Sequence, residues 1–188
     1  MTEVGRNNAC TAVVFDIGNV LLRWDPKNLY RQMFETDAEI EHFLQETKLL
    51  AMNLEFDAGR PFADGIAALA KLHPQWQRQL QAFHTRWTDC LAGPIPQSTT
   101  ALHDLQAEGI PVYAITNFSR EKFDETCAHY PFLTSFQDIV VSADIGINKP
   151  DPRIFQALLE RNDIVPQNAL FIDDSAANIA AATTLGMQ

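Results

Sequence analysis

Roughly a hundred residues lie between Phe15, the end of the first strand-like run, and Pro111, the start of the next, far more than one crossover helix requires. Whatever this chain folds into must hold a second lobe between two strands of one sheet. The strand-like runs are Thr11–Phe15, Pro111–Ile115, Asp138–Val141 and Ala169–Ile172, each short, rich in apolar and β-branched residues and bounded by polar or turn residues. Few charges fall inside them, as expected of strands covered on both faces in a parallel sheet. Helical patterns lie between the later runs. Ser98–Glu108 ends at Gly109, and Pro152–Arg161 carries Ile154, Phe155, Leu158 and Leu159 on one stripe. Strand and helix alternate from about Pro94 onward, which implies an α/β core, a Rossmann-like doubly wound parallel sheet with right-handed crossovers.

The long interval reads as helices: Asn28–Phe34, Ala38–Leu50, Ala63–Leu72 and Gln75–Asp89, separated by turn signals such as Asp57-Ala58-Gly59-Arg60-Pro61 and His73-Pro74. The expected organisation is therefore a core of residues 1–24 and 92–188, carrying an inserted all-helical cap domain of residues 25–91. Pro26 and Gly93-Pro94-Ile95-Pro96 mark its hinges.

Composition removes several classes of function. A hydrophobic fraction of 46% with 20% charged residues is that of an ordinary globular chain. The net charge of −10 argues against a nucleic-acid surface, because phosphate backbones are bound through clustered Lys and Arg. No window approaches the ~18 apolar residues of a membrane span. Cys10, Cys90 and Cys127 are far apart and form no CxxC pair, which fits a reducing, cytoplasmic compartment. An acidic chain that binds an anion needs a locally positive site, from a metal ion or a few placed cations.

In an open parallel sheet, ligands bind beyond the carboxyl ends of the strands. The first run ends in Asp16, the second in Thr116-Asn117, the third leads to Lys149, and the fourth ends in Asp173-Asp174-Ser175. Any one of these residues is accounted for by helix capping or a solvated surface. Together they bring three carboxylates, a hydroxyl and a lysine to one rim. Carboxylates so gathered destabilise a fold unless a cation neutralises them, which points to a hard divalent ion with oxygen ligands.

The residues that follow these strands form four ordered motifs, FDIGNVLL, ITN, GINKPDPRIF and FIDDSAANIAAATTLGM. In their order and spacing the chain resembles the haloacid dehalogenase superfamily of aspartate-nucleophile hydrolases, in the branch whose helical cap lies between the first two motifs. The resemblance implies a phosphatase acting on a small phosphorylated metabolite, with Asp16 as nucleophile. It implies Mg²⁺ held by Asp16, the Gly18 carbonyl and Asp174, with Asp173 as a further ligand or outer partner. Thr116 and the Asn117 amide would bind phosphoryl oxygens, and Lys149 would pair with Asp16 and the transferring group. Arg60, in a turn whose position resembles a cap loop leaning over the site in relatives, is a candidate substrate-binding residue. Relatives also continue past Gln188 into a further strand and helix. Trp24, Trp76 and Trp87 read as core or interface residues, and the oligomeric state is not encoded.

One departure from the motifs matters. Phosphatases of this family usually carry a second Asp, two residues after the nucleophile, as general acid and base; here that position is Gly18. General acid–base help is worth about 10²–10⁴-fold. The gap keeps two alternatives open: a metal-free 2-haloacid dehalogenase, whose leaving halide needs no proton, and a non-catalytic binding module of the same fold.

Overall fold

A computed structural model describes residues 10–188. Four strands form a parallel sheet: β1 (Ala12–Phe15), β4 (Val112–Thr116), β5 (Asp138–Val141) and β6 (Ala169–Ile172). Two short strands, β2 (Leu22–Trp24) and β3 (Leu91–Pro94), pair antiparallel to each other. The helices are α1 (Pro26–Tyr30), α2 (Asp37–Thr47), α3 (Leu49–Asp57), α4 (Phe62–Leu72), α5 (Gln77–Thr85), α6 (Pro96–Ala107), α7 (Arg120–His129), α8 (Ser142–Ile145), α9 (Pro152–Arg161) and α10 (Ala176–Thr184).

The parallel sheet has the order β5-β4-β1-β6. Val13 lies opposite Val112 on one side and Leu170 on the other, so β1 is central. The two-residue period of a strand sends its side chains into two layers. Val13 and Phe15 join one apolar cluster with Leu102 of α6 and Phe123 of α7. Ala12 and Val14 join a second with Ile154, Phe155 and Leu158 of α9 and Ala182 of α10. The chain leaves β1 toward β4 and β5 and returns to its other side for β6. A crevice must therefore open at the carboxyl end of β1, at the point where the strand order reverses. Beyond β6, the Gln188 backbone bonds to Ala169 and Phe171.

The doubly wound α/β reading is correct, and the later boundaries agree to within two residues. The helical lobe differs in detail. The helix expected at Ala38–Leu50 stops at Thr47, because Lys48 takes a left-handed conformation (φ 55°), and a separate helix, α3, follows at once. Thr36 and Glu39 close the start of α2 with reciprocal side-chain to backbone bonds, the capping box. Tyr30 and Phe43 meet edge to face at 4.8 Å, and Phe56 stacks on Phe62 at 4.0 Å. This aromatic interior is continuous with the α6–α7 side of the sheet. The β2–β3 ribbon, absent from the sequence expectation, carries the chain out of the core and back. Among the described residues no helix is long and apolar enough to cross a membrane.

Candidate active site

Asp16 follows β1, its amide bonded to the Ile172 carbonyl at 2.8 Å, so the sheet itself fixes its position. Its Oδ1 accepts the Ile17 amide at 2.7 Å and lies 2.8 Å from Lys149 Nζ. That ammonium also reaches Asp173 Oδ2 at 2.7 Å and the Ile115 carbonyl at 2.9 Å. An ammonium has three N–H donors, and here all three have acceptors. The Lys149 side chain is only 1% exposed and is flanked by two carboxylates.

Asn117 fastens the segment that carries this lysine. Its Oδ1 accepts the Lys149 amide at 2.7 Å and its Nδ2 donates to the Lys149 carbonyl at 3.0 Å. The Asp173 side chain is fully enclosed: besides Lys149 it accepts the Ser175 amide at 2.8 Å and Asn178 Nδ2 at 2.9 and 3.0 Å. With its oxygens so engaged, Asp173 anchors the lysine. Carboxylate oxygens of Asp16, Asp173 and Asp174 lie within 4.8 Å of one another. Three carboxylates and one ammonium leave an excess of negative charge, and a cation beside Asp16 and Asp174 suits this donor set.

The crevice is a cleft of about 190 Å³, lined among others by Asp16, Gly18, Asn117 and Asp174 from the core. Burial pushes the Asp16 carboxyl up to about 6, against the pull of Lys149 and with a further push from Asp173. Gly18 has no positive φ, and a Cβ there would meet nothing within 4 Å. Thr116 is buried at the end of β4; the next residues along the chain, Asn117 and Phe118, are the ones that line the cleft. Arg60 is paired with Glu55 on the lobe's surface and is not among the lining residues.

Several lining residues went unassigned in the sequence. Trp24 and Trp87, read there as core or interface residues, form apolar walls with Leu22, Leu91 and Phe118. Trp24 Nε1 is buried with no acceptor among the described residues. Asn53 and Asp57, from α3, close the opposite side. Asp57 is 8% exposed, and burial pushes its carboxyl up to about 7, against the pull of the Ser119 amide and with a further push from Asp16. Sequence offered one weak signal for it: an acidic residue inside the very turn that was expected to face the site.

The family of haloacid dehalogenase-like hydrolases matches residues 15–188. The chain belongs to that family. This hydrolase is 26% identical over 183 residues to a sesquiterpene phosphatase of Aspergillus oryzae, covering 94% of this chain and 86% of that protein. It is 28% identical to an (S)-2-haloacid dehalogenase of Pseudomonas fluorescens, over 55% of its own length and 46% of the dehalogenase, so it spans less than half of that relative. The same fold occurs in a family enzyme of Bacteroides thetaiotaomicron crystallised with magnesium and inorganic phosphate, at a TM-score of 0.75 and 23% identity, covering 96% of this chain and 92% of that one.

Proposed function

We propose that this hydrolase is a Mg²⁺-dependent phosphate monoester hydrolase that works through an aspartyl-phosphate on Asp16 and acts on a small phosphorylated metabolite. The observation that carries the reading is the Lys149 ammonium held between Asp16 and Asp173, with Asp174 facing the same cleft. An aspartate that attacks an anionic phosphate meets electrostatic repulsion, and Lys149, bonded to Oδ1 of the same carboxylate, offsets part of it. Mg²⁺, held by Asp16, Asp174 and the Gly18 carbonyl, would supply the remaining positive charge. Ile17 donates to Oδ1 of Asp16 and so orients the carboxylate for attack with its other oxygen. The Asn117 amide, next after β4, would bind a phosphoryl oxygen, whereas Thr116 is buried and would reach one only if the cleft widens on binding.

The walls bear on the substrate. Trp24, Trp87, Leu22 and Leu91 suit the apolar part of an ester, while the Trp24 indole N–H gains an acceptor if a substrate oxygen enters. Cys10, Cys90 and Cys127 are free thiols, which supports a reducing, cytoplasmic setting. The metal-free dehalogenase alternative would bring a carboxylate substrate against Asp174 and an already negative rim. Phosphate release from p-nitrophenyl phosphate with Mg²⁺ and with EDTA, beside halide release from 2-chloropropionate, tests the proposal. Mg²⁺-dependent phosphate release with no halide is the expected result; halide release that ignores EDTA overturns it.

A further inference from the structure

The reaction has a proton to place and Gly18 has no group to carry it. We propose that Asp57, reaching the cleft from the helical lobe, is the general acid and base of this hydrolase. The proposal rests on the aspartyl-phosphate reading above and adds a residue to it.

Three observations carry it. Asp57 lines the same small cleft as Asp16, Gly18 and Asp174, on the side formed by α3. It is held there by bonds to the core from distant parts of the sequence. The Asp57 carbonyl accepts Ser142 Oγ at 2.5 Å, that hydroxyl in turn accepts the Phe118 amide at 2.9 Å, and Asn148 Nδ2 donates to the Leu54 carbonyl at 2.7 Å. Gly59 seals the contact, since a Cβ there would stand 3.0 Å from the Ala143 carbonyl and its φ is +97°. Finally, the carboxyl has one side-chain partner, the neutral Asn53 amide at 2.9 Å. No cation among the described residues pairs with it.

The charged groups on the surrounding elements are engaged elsewhere. Arg120 is paired with Asp144 and Asp124, Lys122 with Glu121 and Glu125, and Arg60 with Glu55. Asp64 and Lys71 of α4 are exposed, and Glu46 of α2 is bonded to Trp76. Asp57 is thus buried with no cation among the described residues beside it, which favours its neutral form. The elevated proton affinity described above accords with that, and an acid poised near neutrality is suited to give and retake a proton.

The chemistry balances in two steps. As an Asp16 oxygen forms its bond to phosphorus, the bond from phosphorus to the ester oxygen breaks. Asp57 gives that oxygen its proton, leaving a neutral alcohol and an Asp57 carboxylate. Asp57 then takes a proton from water as the water oxygen attacks phosphorus. The bond to Asp16 breaks, and inorganic phosphate and the free Asp16 carboxylate result.

The test compares an alkyl ester, glycerol 2-phosphate, with an activated one, p-nitrophenyl phosphate, whose leaving group needs no proton. With Mg²⁺ present, Asp57→Asn should lower kcat for glycerol 2-phosphate by about 10²–10⁴-fold and for p-nitrophenyl phosphate by less than about tenfold. The alkaline limb of the glycerol 2-phosphate pH profile should disappear. Adding Gly18→Asp to Asp57→Asn should restore alkyl turnover by about tenfold or more, a rescue that a merely structural role would not allow. Asp57→Ser serves as a second variant should the first fold poorly. Equal losses on both esters, or an unchanged alkyl rate, in an enzyme that still depends on Asp16, overturn this proposal alone. Absence of Mg²⁺-dependent phosphate release from wild type overturns the phosphatase reading and this inference together.

Discussion

The two sides of the cleft carry carboxylates in opposite electrical settings. On the core side Asp16 and Asp173 share a buried ammonium, and every oxygen of Asp173 has a donor. On the lobe side Asp57, as deeply buried as Asp16, has only neutral amides, those of the Asn53 side chain and the Ser119 backbone. Burial alone raises the proton affinity of any carboxyl; the neighbours then decide how far. Lys149 thereby holds Asp16 nearer to an ionised nucleophile, while Asp57, with no cation among the described residues beside it, is nearer to a protonated donor. Environments that push two carboxyl groups apart assign base and acid in other hydrolases by the same logic.

The comparison breaks most completely at the nucleophile. Asp16→Asn keeps the size of the side chain and removes its attacking oxygen anion, so turnover of p-nitrophenyl phosphate should fall to background while the far-ultraviolet circular dichroism is unchanged. Substantial residual activity would exclude a covalent intermediate on Asp16. Lys149→Ala attacks the same side through its charge. It leaves Asp16 and Asp173 facing each other uncompensated in a buried place, which should destabilise the fold by about 3–5 kcal/mol in urea unfolding and remove activity as well.

On the lobe side the effect of substitution reverses, because no cation among the described residues offsets the burial of an ionised Asp57. Its ordinary value is 3.8 and its folded value about 7, so the folded chain holds the proton more tightly. The associated stability is fully present below about pH 4 and is lost as pH rises through about 7. Asp57→Asn is neutral throughout. Measured with EDTA, it should be more stable than wild type at pH 8, by up to about 4 kcal/mol, with the difference fading toward pH 4. A variant less stable than wild type at pH 8 would mean that the Asp57 carboxylate is welcome where it sits, contrary to the contrast drawn between the two sides.

How much of this contrast was legible in the sequence follows from range. The four parallel strands announce themselves through short apolar runs, Asp16 and Asp174 stand just beyond strand ends and the segment after β5 leads to Lys149, so motif order and sheet topology were enough to bring them together. The lobe was harder. No Gly or Pro separates α2 from α3, and the break depends on Lys48 accepting a left-handed backbone, which no local signal announces. The β2–β3 ribbon is only three and four residues long and includes Pro94, so it lacks a strand's alternation. Asp57 stands two residues before Gly59 and reads as a turn. Its burial comes from Ser142, Asn148 and Ala143, more than eighty residues away, and no pattern within the lobe reports a contact of that range.

The smallest effect is expected from Gly18→Asp in the otherwise intact enzyme, and it sharpens the comparison by placing a second carboxyl on the already acidic core side. The backbone permits the change: Gly18 has no positive φ, and its Cβ would enter open space. Stability should therefore move by no more than about 0.5 kcal/mol, the usual range for a substitution without steric conflict. Activity has two opposing contributions. A carboxyl two residues after the nucleophile offers a proton to the ester oxygen, but with Asp57 in place that service is already supplied. The added charge meanwhile increases repulsion of the phosphate. Glycerol 2-phosphate turnover should then change by only about threefold or less, whereas the same substitution in Asp57→Asn produces the rescue described above. The coupling between the two positions is the quantity to measure. If Gly18→Asp raised alkyl turnover by the same large factor in both backgrounds, the lobe would supply no proton, and the core side alone would carry the chemistry.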